Sequence, residues 1–348
     1  MKKYVPILVV VCFVLSVLGF STIVLKQQQA DRAAEAYRQQ RHLIVWSDLP
    51  GDVNQVLARS FHSDTGMRVQ IETYTDDQIK ELAQKKDYMK SGPDYIIAAE
   101  PVLKNLQKAS LLSPYASVVT ESVPYAMKDA DGYWTGLWYD PMVFVIGTDY
   151  YARRGDSIDV WGDLLTDPQM VLAFPDLAAT DMAGDYLCSF IEVHGIEETG
   201  RYYRALQGHV SSYTKSMSAI VCRVAAGEAH VGVADALTAR QFEKEKAPIV
   251  IVYPQDGTSY WLYGGAVTNW NADAELVSLF SDWLLSRSAL ATLHNHKIYL
   301  TTASDVLPKE LDSRNRYPVP FSIKKIYTDE GRKEMQDWWI RTIRFGKE

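Results

Sequence analysis

The sequence predicts an α/β protein made of two lobes, and three observations lead to this prediction. Short apolar strands alternate with amphipathic helices along most of the chain, which is the pattern of a parallel sheet with helices outside it. The chain has 348 residues, 47% of them hydrophobic and 23% charged, which is enough for two cores. A helix like the outer helices of the first part returns at Ala272 to Leu285. Two crossings between lobes would form a hinge beside a cleft.

The first strand, helix and strand unit begins at Leu43. An apolar strand ends at Trp46, and the helix that follows places Val53, Leu57 and Phe61 on one face before Gly66 ends it. Further elements of this part are predicted at Val69 to Glu72 (strand), Asp76 to Gln84 (helix), Tyr95 to Ala98 (strand) and Pro101 to Ala109 (helix). Loops at the carboxyl ends of such strands are where open sheets bind ligands.

The second part of the chain follows a strongly apolar strand at Met142 to Ile146. We predict that residues 43–143 and 266–348 form the first lobe and residues 144–265 the second. The region after Ser286 is predicted to be mostly helical, with Trp338 and Trp339 on an apolar face. The other predicted elements are helices at Trp161 to Leu165, up to Val193 and at Glu197 to Leu206, and strands at Val171 to Phe174, Ala229 to Val233, Ile249 to Tyr253 and Leu262 to Thr268.

The stretch from Ser211 to Asp235 is the strongest candidate for a ligand site. Its cluster of hydroxyl side chains reads as a polar loop leading into a helix, with Ser216 or Ser218 as the N-cap and Gly227 after the end. A helix N-terminus offers unpaired N–H donors and the positive end of the helix dipole to an anion. The alternative is an ordinary capped surface helix.

The N-terminal residues 1–25 are predicted to be a transmembrane anchor. Lys2 and Lys3 precede an apolar run that continues to Leu25, and about 20 apolar residues span a bilayer. Gly19 and Ser21 resemble a signal-peptide cleavage site, but the apolar run continues beyond them, which favours a retained anchor. Residues 26–42 are predicted to be a helical stalk, and the rest of the chain is exported.

Charge and cysteine content exclude some functions. The formal net charge is −7 and no long basic run occurs, so a nucleic-acid partner is not expected. Cys188 and Cys222 fall in predicted helices among apolar neighbours, which favours two buried thiols over a disulfide. His294 and His296 are spaced so that they lie on different helix faces, and we expect no metal site there.

A series of short motifs in order carries a family resemblance over about Leu43 to Leu307. The motifs are Thr65-Gly66, Ser91-Gly92-Pro93-Asp94, Asp131-Gly132-Tyr133-Trp134, Trp161-Gly162-Asp163-Leu164-Leu165, Phe174-Pro175-Asp176, Tyr213-Thr214-Lys215-Ser216, Ala225-Ala226-Gly227-Glu228 and Phe280-Ser281-Asp282-Trp283-Leu284-Leu285. In this order they resemble the extracellular solute-binding proteins of ABC importers, in the branch of ferric-ion and phosphonate binders. The resemblance implies a two-lobed type 2 periplasmic-binding fold that closes on a ligand and has no catalytic residues.

Two departures from the family pattern bear on the ligand. Ferric binders of this family carry adjacent tyrosines where this chain has Ala234 to Leu237, which argues against ferric ion. Relatives that bind phosphonate-like anions often carry Ser-Gly-Ser where this chain has Ser216, Met217 and Ser218. Glycine would allow the backbone to approach an anion closely. Anion binding remains the prediction, with the identity of the ligand open.

The predicted cleft set combines loop hydroxyls, aromatic rings and three acids, of which Glu100 and Asp235 could hold an amino group on a zwitterion. Its members are Ser47, Tyr74, Glu100, Trp138, Thr180, Asp181, Tyr213, Ser216, Ser218 and Asp235. Thr180 and Ser216 each precede a helix and could bind an oxyanion. Each residue could equally be a turn, a cap or a core residue, and Asp235 and Glu100 could form hinge salt bridges.

The sequence therefore predicts a membrane-tethered receptor outside the cytoplasmic membrane, acting as a monomer that captures a small organic anion such as a phosphonate and docks on an ABC permease. The rival hypothesis is signalling to a membrane sensor kinase. No zinc-protease signature, phosphate loop or nucleophile elbow occurs in the sequence, which argues against an exported hydrolase, and no cofactor is expected.

Overall fold

A computed structural model of the chain describes residues 41–84, 92–154, 157–271, 273–322 and 328–346. Among these residues the strands form one continuous path, in the order β2-β1-β3-β10-β5-β8-β6-β7. Three short strands join from the side: β4 pairs with β10, and β9 and β11 pair with β5. The strands are β1 (His42–Ser47), β2 (Arg68–Thr73), β3 (Tyr95–Ala99), β4 (Leu112–Ser113), β5 (Thr135–Gly147), β6 (Leu172–Pro175), β7 (Val210–Thr214), β8 (Val231–Asp235), β9 (Ile249–Val252), β10 (Tyr260–Thr268) and β11 (Thr301–Thr302).

The helices lie between these strands, as the alternating sequence pattern predicts. They are α1 (Gly51–Thr65), α2 (Asp76–Gln84), α3 (Glu100–Lys108), α4 (Thr148–Arg154), α5 (Asp181–His194), α6 (Ile196–Gln207), α7 (Met217–Ala225), α8 (Ala236–Lys244), α9 (Ala274–Leu284), α10 (Arg287–Asn295) and α11 (Asp329–Trp339). A π-helical turn, Ile340–Arg344, extends α11, and 3-10 turns form at Thr120–Ser122, Tyr125–Met127 and Trp161–Leu165. The predicted helix at Trp161 is therefore a 3-10 turn.

Strand β5 belongs to both lobes. Its first residues pair with β10, and from Met142 to Gly147 it pairs with β8 and β9 instead. The change of partner falls at Asp140 and Pro141, and β10 returns to the first sheet at Tyr260. The predicted lobe limits at residues 143 and 265 stay predictions of where the lobes divide.

The C-terminal helix packs on the second lobe, whereas the sequence assigns it to the first with the rest of residues 266–348. Trp339 is fully buried and its ring contacts Tyr203 of α6 and Tyr213 of β7. Gln336 donates to the carbonyl of Thr180, just before α5. At Gly184 of α5, an added Cβ would lie 2.9 Å from the Arg332 side chain. The glycine thus lets the two helices approach closely, because it carries no side chain at the contact.

Three local predictions need correction. Ser211 to Thr214 form part of strand β7, because their backbone pairs with β6, and are not a loop. Strand β8 begins and ends two residues later than predicted, so Asp235 is its last residue and the N-cap of α8. Residues 296–322, predicted to be mostly helical, contain a short strand and otherwise irregular structure.

Two cysteines lie in the described part of the chain, and they do not form a disulfide with each other. Cys188 is buried in α5, as predicted, but Cys222 is exposed on α7, because its side of that helix faces solvent.

The predicted anchor and stalk fall almost entirely outside the described residues. Residues 1–40 are not described, Arg41 precedes β1, and His42 is the first residue of that strand, so the stalk does not include His42. Within the described part of the chain, no helix combines the length and apolar character that a membrane span requires.

The core of the first lobe centres on aromatic side chains brought together by α1, β3 and α9. Phe280 is fully buried, with its ring 5.1 Å from Phe61 and 5.5 Å from Tyr95 in edge-to-face geometry. Such pairs add stability beyond the apolar area that they bury. The apolar face of α1 predicted from the sequence therefore joins residues more than 200 positions apart.

We expect Phe280→Ala to lower the free energy of unfolding by about 3–5 kcal/mol, because it leaves a cavity among these rings. Denaturant unfolding measures the change. The neighbouring side chain Leu279 is 42% exposed, so Leu279→Ala serves as the control and should change stability by no more than about 0.5 kcal/mol. Equal effects of the two variants would contradict the packing described here.

Candidate functional site

The site lies where strand ends from both lobes face each other beside the β5 crossing. In the first lobe, Asp48 follows β1 and Glu100 follows β3, and these two strands are parallel neighbours. In the second lobe, Asp235 ends β8 and lies opposite Met142 of β5. Two residues before Met142, Asp140 stands at the crossing itself. The carboxyl edges of both sheets thus bring acidic side chains to one cleft.

Two carboxyl groups of the first lobe lie against each other. Asp48 accepts a hydrogen bond from the Ala99 N–H at 3.0 Å through Oδ2, its buried Oδ1 has no hydrogen-bond partner among the described residues, and Asp76 at the start of α2 is its acidic neighbour. Burial raises the pKa of Asp48 well above its usual value, and the neighbouring Asp76 raises it further. Burial also raises the pKa of Asp76, although Lys80 acts in the opposite direction. The two acids are therefore best described as a pair that shares a proton.

A second pair lies at the crossing. Asp140 is 2% exposed and accepts from the Leu237 N–H at 2.9 Å, while Asp235 is 5% exposed and accepts from the Thr238 N–H at 2.7 Å. The two carboxyl groups lie within hydrogen-bonding distance of each other. Burial raises both pKa values, and the charge of Asp235 raises that of Asp140 further. This pair also shares a proton, because two buried carboxylates cannot both ionise cheaply.

Two tyrosines connect the pairs. Tyr263 of β10 lies between the pairs, where burial raises its pKa and the charges of all four aspartates are near enough to raise it further. Tyr186 of α5 is 1% exposed, lies within range of Asp140 and Asp235, and its hydroxyl has no hydrogen-bond partner among the described residues. We call Asp48, Asp76, Asp140 and Asp235 the four-carboxylate centre.

A separate acidic group at the start of α5 has its own cation. Arg332 of α11, only 4% exposed, lies 2.9 Å from Asp181 and Asp329 and 3.3 Å from Asp185. Burial raises the pKa of Asp185 to about 6, against the opposing effect of Arg332. Lys80 of the first lobe lies 3.6 Å from Asp329. These contacts connect α11 to both lobes across the cleft.

Three predicted residues of the first lobe and hinge have structural partners. The Ser47 side chain is buried and accepts from the Leu49 N–H at 3.2 Å. Tyr74 packs on Trp46, with 4.7 Å between ring centroids. Trp138 is 1% exposed and lies within strand β5. Their role in ligand binding stays a prediction.

The predicted residues of the second lobe divide into two groups. Asp181 and Asp235 lie at the cleft with Glu100, which is within electrostatic range of Asp185. Thr180 and Ser216 are the N-caps of α5 and α7, as the sequence indicates, and they accept from the N–H groups of the third residues that follow. The remaining two are Tyr213, which lies beneath Arg344, and Ser218, which is exposed in the first turn of α7.

The structure adds site residues that the predicted set lacks: Asp48, Asp76, Asp140, Asp185, Tyr186, Tyr263 and Arg332. One signal was present in the sequence, since Asp140 is an acid within a strand that is otherwise apolar from Leu137 to Ile146. Asp48 was also a candidate contact from the sequence, because it lies in the loop after the first predicted strand, and the others depend on contacts between distant segments. Among the described residues, no group of three or more acidic, histidine or cysteine side chains could hold a metal ion. His294 and His296 each bond to a backbone carbonyl.

The raised pKa values predict that the unliganded protein loses stability as the pH rises from about 5 to 8. Carboxyl groups of the unfolded chain titrate near pH 4, so across this range the native pairs hold protons that the unfolded chain has released. His194 has the opposite effect at the acidic end of this range, where stability rises with pH, because burial lowers its pKa. A variant is therefore needed to isolate the pairs.

Asp140→Asn keeps an acceptor for the Leu237 N–H and removes one titrating carboxyl group. We expect its melting temperature to fall less than that of the wild type between pH 5.5 and 8, since each raised pKa unit is worth about 1.4 kcal/mol. Differential scanning fluorimetry measures this, with the exposed Asp131→Asn as control. Identical curves for wild type and Asp140→Asn would show that the pair does not titrate as described.

Several known proteins share this architecture. The periplasmic binding protein AfuA from Actinobacillus pleuropneumoniae, solved with fructose-6-phosphate, has a TM-score of 0.63 and 17% identity, covering 88% of this chain and 99% of AfuA. The Trichodesmium protein IdiA (FutA), in complex with iron and citrate, has a TM-score of 0.69 and 18% identity, covering 86% and 97%. The Bordetella ferric binding protein has a TM-score of 0.71 and 16% identity, covering 85% and 97%. At these identities the likeness shows the fold.

Comparisons of sequence show the family. An uncharacterised protein of Haemophilus influenzae is 26% identical over 251 residues, which cover 68% of this chain and 72% of that protein. The sequence profile of the bacterial extracellular solute-binding proteins matches residues 47–296. The predicted two-lobed type 2 periplasmic-binding fold is confirmed, and so is the prediction that the chain is a binding protein and not an enzyme. The chain belongs to the bacterial extracellular solute-binding proteins.

Proposed function

We propose that this receptor captures a small organic ligand carrying an anionic group in the cleft between its lobes and delivers it to an ABC permease. The observation that carries the proposal is the meeting of the strand ends of both lobes beside the β5 crossing. A ligand held there contacts both lobes at once, so that its binding energy favours the closed arrangement over the open one.

The starts of α5 and α7 are the proposed anion-binding edge. Both helices begin at the carboxyl end of the second sheet, with Thr180 and Ser216 as caps. The other N–H groups of the first turns have no partner within the helix and are available to an oxyanion. Arg344 stacks 4.3 Å above the Tyr213 ring, and its buried Nε lies 3.9 Å from the Asp176 carboxylate, too far for a hydrogen bond, with no other acceptor among the described residues. A cationic donor next to this edge favours an anionic ligand group.

Similar proteins bind organic anions as well as iron, and the sequence of this chain favours the organic anion. AfuA was solved with fructose-6-phosphate, and IdiA (FutA) with iron and citrate. In this chain, α8 begins with Ala236 and Leu237 directly after Asp235, where the ferric binders of the family carry tyrosines. Phenolate oxygens suited to ferric ion are therefore missing at this position.

We also propose that residues 1–25 tether the receptor to the membrane as a monomer, through the predicted stalk. The support is the apolar run between Lys3 and Lys26. The same tether suits the second candidate function, in which the liganded receptor signals to a membrane sensor kinase. Co-purification from native membranes distinguishes them, since a permease recovered with the liganded receptor supports import and a kinase supports sensing.

The anion-binding edge predicts the effect of removing its hydroxyl groups. A thermal-shift screen with ethyl phosphate, glycerol 3-phosphate, hexose phosphates, phosphonates and ferric citrate identifies a ligand, because ligand binding to the native state raises the melting temperature. We expect Ser216→Ala combined with Ser218→Ala to weaken binding of that ligand about tenfold, through lost hydrogen bonds worth about 1–2 kcal/mol.

Ser286→Ala is the matched control, because Ser286 caps α10 in the first lobe with the same bond to the third residue that follows. Both variants lose a cap worth about 1 kcal/mol of stability, but only the first should lose affinity in titration calorimetry. Equal affinities for the wild type and the Ser216/Ser218 variant would remove this edge from the site.

A further inference from the structure

We propose that the four-carboxylate centre is a cation subsite of the cleft, which holds a protonated amine or guanidinium of the ligand. The inference rests on the proposed solute-binding function and adds to it the chemical class of the ligand. A ligand that occupies both the cation subsite and the anion-binding edge is a zwitterion.

The charge arrangement of the cleft is the first argument. No lysine or arginine of the described chain forms an ion pair with Asp48, Asp140 or Asp235, and Asp76 has only the more distant influence of Lys80. By contrast, Asp181 and Asp185 a short distance away are paired with Arg332. Buried carboxylates are normally paired with a cation, because burying the charge alone is costly. The pairs at the crossing thus have a place for a cation that the described side chains do not supply.

A buried hydroxyl that lacks a partner is the second, independent argument. Tyr186 is 1% exposed and its hydroxyl, which lies within range of Asp140 and Asp235, has no hydrogen-bond partner among the described residues. Buried polar atoms in proteins nearly always have a partner, and the exceptions are often at functional sites. The Tyr186 hydroxyl can accept a hydrogen bond as well as donate one. An ammonium group between the two acids would satisfy it.

The donor chemistry favours nitrogen over a metal. An ammonium offers three hydrogen bonds and a guanidinium five, which matches oxygens that come from several directions. A hard metal ion needs about six oxygen ligands in a shell, whereas no group of three possible ligands in the described chain is arranged for a metal. Backbone N–H groups of Ala99, Leu237 and Thr238 fix the carboxyl groups in place. The subsite is therefore preformed.

Specificity follows from the same arrangement. A ligand with a hydroxyl or methyl group in place of the amine leaves the acids without their cation. Because buried polar groups are then unpaired, the site should discriminate strongly between the amine and such a ligand. Charge-assisted hydrogen bonds contribute about twice as much as neutral ones. We expect the amine-bearing ligand to bind at least about tenfold more tightly than its isostere without nitrogen.

The test is a thermal-shift series on the full-length protein with matched probes at about 10 mM, where a bound ligand must raise the melting temperature. The probes are putrescine with 1,4-butanediol, and O-phosphoethanolamine with ethyl phosphate. We expect the amine of each pair to raise the melting temperature more than its isostere. Equal shifts within both pairs, including no shift for any probe, would overturn the proposal.

Two variants locate the effect. Asp140→Asn with Asp235→Asn keeps the acceptors for Leu237 and Thr238 and removes both charges, and Asp48→Asn with Asp76→Asn does the same in the first lobe. Both should abolish the preference for the amine while keeping a cooperative melt. The exposed pair Asp131→Asn with Asp149→Asn changes the net charge equally and should keep the preference. A preference that survives in both cleft variants would place the amine elsewhere and refute the subsite.

Failure of this inference is distinguishable from failure of the proposed function. A shift with ethyl phosphate to which the amine adds nothing leaves the anion-binding edge intact and refutes the cation subsite. A shift with putrescine alone, removed by Asp140→Asn with Asp235→Asn, supports the subsite and refutes the anionic part of the proposed ligand.

Discussion

The structure depends on one strand that is shared between two sheets. β5 exchanges the partner β10 for β8 and β9 within a few residues, and the carboxyl group of Asp140 lies buried at that point. The backbone N–H of Leu237 anchors it, so the start of α8 is fixed relative to the crossing. Any movement of the lobes must change the surroundings of this carboxyl group. Charge at the crossing and the geometry of the cleft are thus physically coupled.

The C-terminal helix adds a second connection across the cleft. Arg332 joins α11 to the acids of α5, and Asp329 of the same helix reaches Lys80 in the first lobe. The long-range contacts of α11 are mostly with the second lobe, where Trp339 is buried. The Lys80 contact is long and partly exposed, and such pairs contribute little to stability. The helix is therefore held firmly by one lobe and weakly by the other, which is compatible with opening.

Local signals predicted much of the fold, and non-local contacts account for what they missed. Thr180 and Ser216 were identifiable as caps because a cap depends on the next three residues of the chain. The apolar face of α1 was likewise visible from its helical spacing. Strand β7 was missed because its serines and threonine are typical of a loop, and only pairing with β6 makes them a strand. The docking of α11 depends on Gly184 and Tyr203, more than 130 positions away, and no local pattern indicates it.

The candidate site shows the same division. Asp235 was predicted because it follows an apolar strand, but its partner Asp140 is set by the register of β5 against β8, in which Met142 faces Asp235. Asp76 reaches Asp48 only because β1 and β2 are neighbours in the sheet. The sequence thus indicated acids and hydroxyls at strand ends, and the sheet order decided which of them share protons. The class of ligand therefore depends more on the order of the strands in the sheet than on the local sequence.

The proposed cation subsite is tested most directly by counting the protons that are released or taken up when O-phosphoethanolamine binds. Titration calorimetry at pH 6 in two buffers of different ionisation enthalpy gives this number. A cation placed among proton-sharing carboxyl pairs favours their ionised form, so binding should release protons. Release that disappears in Asp140→Asn with Asp235→Asn is the predicted result. Binding with no proton release, or with proton uptake, would contradict a ligand cation at the β5 crossing.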